Sequence, residues 1–355
     1  MPYGTQGISP ADVESVVKAL GSDFLTQGPV VEQFERELAK KVKSEFCVSF
    51  NSGTSALHIA CVALGLSEGD WLWTSPISFV ASANCGRYCG AKIDFVDIDL
   101  STANISVDAL EQKLIAAEKK GCLPKLLVVV HMAGMPCDME AIHSLSLKYQ
   151  FFIIEDASHA LGAKYKGDYV GNCRFSDITV FSFHPVKIIT TGEGGALVTK
   201  SQKIADKARL FRSHGVTRDT ALMNSETHGL WYYQQIDLGY NYRLTDIQSA
   251  LGLSQLVRLD EFVAKRHMLS DRYNALLSGS GLGLPEGQVG KYSALHLYIL
   301  RVSKKRCGIS REGLYKVLSS VGIGVNVHYI PIHIQPYYAE MGFTAMDFPN
   351  AICYY

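Results

Sequence analysis

The chain has 355 residues, 47% of them apolar and 19% charged, enough to bury a large core divided between two lobes. Its 34 lysines and arginines are matched by 34 aspartates and glutamates, which excludes the basic excess of a general nucleic-acid or membrane-surface binder. Apolar runs such as 126–130 fall far short of the roughly 20 residues of a membrane helix, and residues 1–6 lack a signal-peptide pattern, so the expected location is the cytoplasm.

From about residue 12 to residue 199, helix and strand signals alternate, the pattern of an α/β sheet. Proline at position 10 opens a helix towards residue 20; 31–42 has apolar and charged faces at helical spacing; 54–64 follows a glycine and is almost wholly apolar. Short β-branched or aromatic runs predict buried strands at 46–50, 71–74, 93–96, 126–131, 151–155, 178–182 and 196–199. Residues 245–277 are continuously helix-compatible. After the turn-rich stretch 279–290, a second strand and helix set is expected from 295–302. The lobe boundary is placed inside the long helix, giving a large domain over 1–250 and a small one over 251–355.

The nine cysteines are odd in number and scattered, which suits a reducing compartment. Cys85 and Cys89 are the nearest pair. Without a second pair or ligating histidines they read as small core thiols, and no metal is expected. HExxH, Walker A and complete GxGxxG motifs are all absent, which removes the simplest cases for a metalloprotease, a nucleotide triphosphatase or a Rossmann dehydrogenase.

Three features carry chemistry together. Residues 51–57, Asn-Ser-Gly-Thr-Ser-Ala-Leu, pass from a strand through glycine into a helix, a junction that aims free N–H groups and the positive helix end at one point, as a phosphate site requires. Taken alone, the same residues are an ordinary N-cap. Residues 151–160 end a hydrophobic strand in Glu155 and Asp156, placing a carboxylate at the crevice where α/β sheets bind ligands. Residues 178–196 hold a single lysine, Lys187, among apolar and hydroxyl neighbours before a glycine-rich turn; burial lowers a lysine pKa, and a neutral amine forms a Schiff base. Pyridoxal phosphate (PLP) needs all three: an anchor for its phosphate, a carboxylate that keeps its ring nitrogen protonated, and a lysine for its aldehyde.

With these blocks, together with 22–35, 95–99 and Gly-Tyr-Asn-Tyr-Arg-Leu-Thr-Asp at 239–246, the sequence resembles the DegT/DnrJ/EryC1/StrS sugar aminotransferases from residue 2 to the last. The resemblance implies the aspartate-aminotransferase-like fold, PLP-dependent transferase fold type I: a large α/β domain with a mixed, mainly parallel sheet, plus a smaller C-terminal α/β domain. It also implies a homodimer whose subunits share active sites. Such relatives continue beyond residue 355 through a last helix, so the small domain is expected to be shortened.

Residue by residue, the resemblance makes Lys187 the Schiff-base lysine and proton shuttle, Asp156 the partner of the pyridine nitrogen, and Phe79 the aromatic stacked on the ring. Gly53, Thr54, Ser55 and Ser182 would hold the phosphate, with Asn241 reaching it from the neighbouring subunit. His159 stands where many members have glutamine beside the phenolic oxygen, and imidazole can still donate there. A lysine at 187, where dehydratase members have histidine, implies a transaminase that cycles through pyridoxamine phosphate, with L-glutamate as donor and a nucleotide-sugar ketone as acceptor.

Residues 2–4, 22–29, 182–195 and 327–333 resemble the subgroup serving pseudaminic acid biosynthesis, which aminates C4 of a UDP-linked 4-keto-6-deoxy-N-acetylhexosamine of β-L-altro configuration. Tyr3, Thr26, Asn241, His328 and Tyr329 would then line the sugar-nucleotide site. An aminotransferase for another 4-keto sugar, of the perosamine type or a different epimer, is an alternative, as is a non-catalytic PLP-binding relative; neither reading involves nucleic acid or membrane.

Overall fold

The computed structural model describes residues 1–355. Its centre is a seven-stranded sheet of β1 (Phe46–Phe50), β2 (Trp71–Thr74), β3 (Lys92–Phe95), β4 (Leu126–Val130), β5 (Phe152–Asp156), β6 (Ile178–Ser182) and β7 (Gly195–Thr199), in the spatial order β1-β7-β6-β5-β4-β2-β3. Strands β3, β2, β4, β5 and β6 pair in parallel, and β7 runs against both its neighbours, so the sheet is mixed and mainly parallel as expected. Each expected strand forms, with no end displaced by more than one residue, because each is an apolar run covered on both faces.

The covering helices are α1 (Pro10–Leu20), α2 (Pro29–Val42), α3 (Gly53–Ala63), α4 (Ala81–Tyr88), α5 (Val107–Lys120), α6 (Met139–Tyr149), α7 (Gln202–Arg212), α8 (Asp246–Val257) and α9 (Leu259–Leu277). Helix α1 starts where Ser9 and Asp12 form a capping box with Pro10 in the first turn. The Asp12 carboxylate also accepts from Ser254, Gln255 and Arg258, which docks α1 on α8.

Two expectations change. The single helix over 245–277 is two helices, broken at Arg258 (φ −96°, ψ 7°), where the N–H bonds to Gln255 three residues back. No glycine or proline marks this break; Arg258 is held from outside by Asp12 and by the Phe262 ring 4.8 Å away. The strand expected over 295–302 does not form either. Ala294 and Leu297 donate their N–H groups to the turn at Gly134 and Ala133, Leu295 adopts a φ of 48°, and only Arg301 makes a bridge, to Gly283. Backbone groups satisfied by a turn cannot also build a ladder.

The largest apolar cluster joins α3, α4 and the sheet to Leu297, Ile332, Tyr338, Phe348 and Ala351, and a second joins α2 and β7 to Leu259, Val263 and Ala294. Core packing therefore continues across residue 250, which lies inside α8. No helix is long and apolar enough to cross a membrane.

Candidate active site

The site lies at the edge where β1, β5 and β6 end. Register places Gly195 opposite both Phe50 and Ser182, which draws the start of α3 against the end of β6. The approach is close enough to demand glycine: a Cβ on Gly195 would stand 2.5 Å from the Ser52 carbonyl carbon and 2.6 Å from the Gly53 nitrogen, and one on Gly53 would stand 2.9 Å from Ser182 Cβ. The Ser52 hydroxyl accepts from the Ser55 N–H at 3.0 Å, and the Ser55 hydroxyl donates to Asn51 Oδ1 at 2.6 Å. Ser55 thus uses both its donors within the cap. The N–H groups of Gly53 and Thr54 have no protein acceptor, and they point from the positive end of α3 beside the Ser182 hydroxyl. That arrangement cradles an anion.

At the end of β5 the two carboxylates part company, because successive strand residues face opposite ways. Glu155 is buried against His131 Nε2 at 2.7 Å and Thr179 at 3.0 Å, and it is held below the usual carboxylate range by those hydrogen bonds despite its desolvation. The Cys137 N–H donates to His131 Nδ1 at 3.1 Å, leaving Nε2 to carry the proton, so this pair is structural. Asp156 faces the crevice instead. Its Oδ2 accepts from Ser82 at 2.8 Å, Ser82 in turn bonds Ser78 at 2.7 Å, and its Oδ1 accepts from the Ser158 hydroxyl at 2.6 Å.

Lys187 follows β6 in a turn closed by its N–H on the His184 carbonyl at 2.8 Å. Burial pushes its amine down to about 8, against the pull of the Asp156 carboxylate. Three imidazoles lie within the field of that amine. Burial, followed by the charge of Lys187, holds His159 and His296 well below the ordinary histidine range and His328 at about 4, so all three are neutral at pH 7. The His159 and His296 rings are 4.4 Å apart, and the buried Nδ1 of each lacks a protein partner. Tyr329 Oη lies 3.3 Å from His159 Nε2, and Tyr3 Oη lies 2.7 Å from His328 Nε2.

Sequence-expected residues therefore gather in two groups: Gly53, Thr54, Ser55 and Ser182 at the cradle, and Asp156, His159, Lys187, Tyr3, His328 and Tyr329 around the amine. Phe79 is 59% exposed, directly after Ser78 of the hydroxyl chain that reaches Asp156. Thr26 and Asn241 are exposed and engaged through isolated backbone bridges, to Thr245 and Ser213 respectively. The Tyr242 carbonyl accepts from the Asn51 N–H of the same chain at 2.9 Å, so the segment carrying Asn241 runs beside the cradle.

The model of the DegT/DnrJ/EryC1/StrS aminotransferase family matches residues 7–355. The chain belongs to that family. It is 38% identical to the Spore coat polysaccharide biosynthesis protein SpsC of Bacillus subtilis, over 100% of this chain and 90% of that one. It is equally 38% identical to the UDP-4-amino-4,6-dideoxy-N-acetyl-beta-L-altrosamine transaminase of Campylobacter jejuni, over 96% and 86%. Among solved structures, Helicobacter pylori PseC, an aminotransferase involved in the biosynthesis of pseudoaminic acid, superposes with a TM-score of 0.87 at 32% identity, over 96% of this chain and 87% of that one. The protein is accordingly a PLP-dependent sugar aminotransferase of fold type I.

The residues present fit the cofactor of this aminotransferase family. An anion cradle that a Cβ would fill, a buried and oriented carboxylate, an amine close to neutrality and two unsatisfied imidazole nitrogens are the complement of a phosphorylated, polar aromatic aldehyde. Sequence reasoning missed His296 and the orienting serines. Ser158 was legible as a hydroxyl two residues after an aspartate. Ser82, 74 residues before Asp156, and His296, 137 residues after His159, gave no local signal.

Proposed function

We propose that this aminotransferase moves the amino group of L-glutamate to C4 of a UDP-linked 4-keto-6-deoxy-N-acetylhexosamine of β-L-altro configuration, in pseudaminic acid biosynthesis. The observation that carries the chemistry is a single part-buried lysine, its amine held at about 8, beside a doubly hydrogen-bonded aspartate. The similarity to the Campylobacter jejuni transaminase and to Helicobacter pylori PseC, together with the block at 327–333, supports the substrate.

In this reading the Gly53 and Thr54 N–H groups and the Ser182 hydroxyl hold the cofactor phosphate, with Ser55 fixing the cap beneath them. Asp156 holds the ring nitrogen in its protonated form, Phe79 covers the ring, and His159 donates to the phenolic oxygen. Bound PLP supplies an electron sink for the carbanion formed next to the transferred nitrogen. Lys187 Nζ takes the proton from the α-carbon of glutamate in one half-reaction and gives one to C4 of the sugar in the other. Tyr3, Thr26, His328 and Tyr329 line the sugar-nucleotide side, and Asn241 serves the site of the other subunit in a cytoplasmic homodimer. Residues 1–250 and 251–355 form the large and small lobes.

The test is mass spectrometry of mixtures containing protein, PLP, glutamate and a panel of UDP-, GDP- and dTDP-linked 4-keto-6-deoxy sugars. Amination of the altro-configured UDP sugar alone is expected. Amination of a different sugar overturns the pathway and keeps the reaction class.

A further inference from the structure

The turn at Ala133 and Gly134 is where the backbones of His159 and His296 meet. Gly134 has a φ of 94°, and a Cβ there would stand 2.7 Å from the His159 carbonyl oxygen and 3.2 Å from the His296 nitrogen, so glycine is what lets the two segments approach. The His296 segment is fixed from several directions. Ala294 donates its N–H to the Gly134 carbonyl at 3.0 Å and Leu297 to that of Ala133 at 3.4 Å, while Leu295, with a φ of 48°, donates to the Ser293 hydroxyl at 3.0 Å. From α9, one nitrogen of Arg266 donates to the carbonyls of both Leu295 and His296, at 3.1 Å each.

Both imidazoles are buried, and their centroids lie 4.4 Å apart at an interplanar angle of 38°. Of the two rings packed on that of His159, His296 is the nearer; Tyr329 stands 6.2 Å away. A neutral imidazole carries its proton on one nitrogen only. On Nδ1 of His159, which is buried without a partner, that proton would be a donor with no acceptor. On Nε2 it meets Tyr329 Oη at 3.3 Å and leaves only a lone pair bare at Nδ1, the lesser loss. The proton therefore belongs on Nε2. Burial first, and then the charge of Lys187, keeps both rings neutral, and Arg266 adds to the effect at His296. The choice at His159 is thus between tautomers, and it depends on Nδ1 staying dry.

We propose that His296 is a positioning residue of this active site: packed against His159, it shuts water away from Nδ1 and so holds the His159 ring in place with its proton on Nε2. Nε2 is the nitrogen that faces Tyr329. A donor at that nitrogen is what the phenolic oxygen of PLP requires, and to that extent the proposal rests on the placement of His159 beside that oxygen. Removing the His296 ring opens Nδ1 to water, so that a proton on either nitrogen finds a partner and the two tautomers become comparable. Phenylalanine at 296 keeps the cover and brings no polar group.

The experiment uses the full chain, first without and then with bound PLP. Nitrogen NMR of the imidazoles, with the His159 signals identified by their loss in H159Q, reads which nitrogen carries the proton. The wild type should show His159 protonated on Nε2, H296F should keep that state, and H296A should show a mixture of the two tautomers. With PLP bound, the visible band is titrated against pH. A donor on the phenolic oxygen draws charge from it and lowers the midpoint, so H296A should raise the midpoint by about one unit, a tenfold change in proton affinity, while H296F stays near the wild type. A His159 proton on Nδ1 in the wild type, or an H296A protein that keeps either the wild-type tautomer or the wild-type midpoint, overturns the proposal. Absence of a visible band from the wild type strikes the cofactor reading instead, and the tautomer measured without PLP still decides the role of His296. Where H296A fails to fold, H296F decides, because loss of the Nε2 tautomer in that variant overturns the cover.

Discussion

The depressed basicity of Lys187 has a thermodynamic consequence that can be measured without substrate. Its amine drops from the ordinary 10.5 to about 8 on folding. At about 1.4 kcal/mol per unit, the apoenzyme gives up about 3 kcal/mol of stability at neutral pH to keep this lysine buried. A lysine with a folded-state pKa below its unfolded value binds fewer protons when folded. Its cost is therefore full below about pH 8 and disappears as pH rises through 10.5. Lys187→Met preserves the length of the side chain and removes the charge. Urea denaturation of both apoproteins, followed by circular dichroism, should find the variant about 3 kcal/mol more stable at pH 7. By pH 10.5 the difference should nearly vanish. Groups that do not interact with Lys187 contribute equally to both proteins and cancel. A variant less stable than wild type at pH 7, or a difference that does not change with pH, would refute the account of why this lysine is ready for chemistry.

Gly195→Ala pushes a methyl group into the Ser52–Gly53 backbone at 2.5–2.6 Å, which should cost about 1–3 kcal/mol and loosen PLP, seen as a raised Kd in fluorescence titration; an unchanged Kd contradicts the cradle. Tyr329→Ala should raise KM for the sugar nucleotide about tenfold while the glutamate half-reaction survives in single-turnover spectra, and equal loss of both halves counts against a substrate role. Asp12→Ala leaves Arg258 unpaired and frees α1 from α8, for a loss of about 3 kcal/mol in thermal or urea melts. Desolvation works against the Asp12 carboxylate, but hydrogen bonds from Ser254, Ser9 and Gln255 win and hold it below its usual value. The stability it provides is thus present above about pH 4 and lost as pH falls through the folded-state value; D12A should flatten that acid limb.

Much of the fold was legible because local pattern and tertiary demand agree in the large lobe. Seven apolar runs of strand length, each flanked by turn residues, could only be buried between helices, and all seven form the sheet. The elements that misled lie where distant groups intervene. Arg258 breaks a sequence that favours unbroken helix because Asp12, 246 residues away, holds its guanidinium. Residues 295–302 have strand composition, yet Leu297 donates its N–H to the turn at Ala133, Leu295 to the Ser293 hydroxyl and Arg301 to Gly283, and no strand forms.

The same division runs through the active site. The sequence alone pointed to a glycine-started helix, a strand-end aspartate and a lysine in an apolar setting as the parts of one cofactor site, because each is a local motif whose chemistry depends on residue type and backbone transition. The resemblance assigned Asp156, but residue pattern alone does not separate it from Glu155; the facing of the strand sends Glu155 to a buried His131 and Asp156 to the crevice. Nor could it find Ser82 or His296, whose contributions are distances between segments far apart in the chain. The tertiary structure alone decided how deeply Lys187 is buried and that three imidazoles share its surroundings, because desolvation and Coulomb energy depend on proximity in space rather than along the sequence.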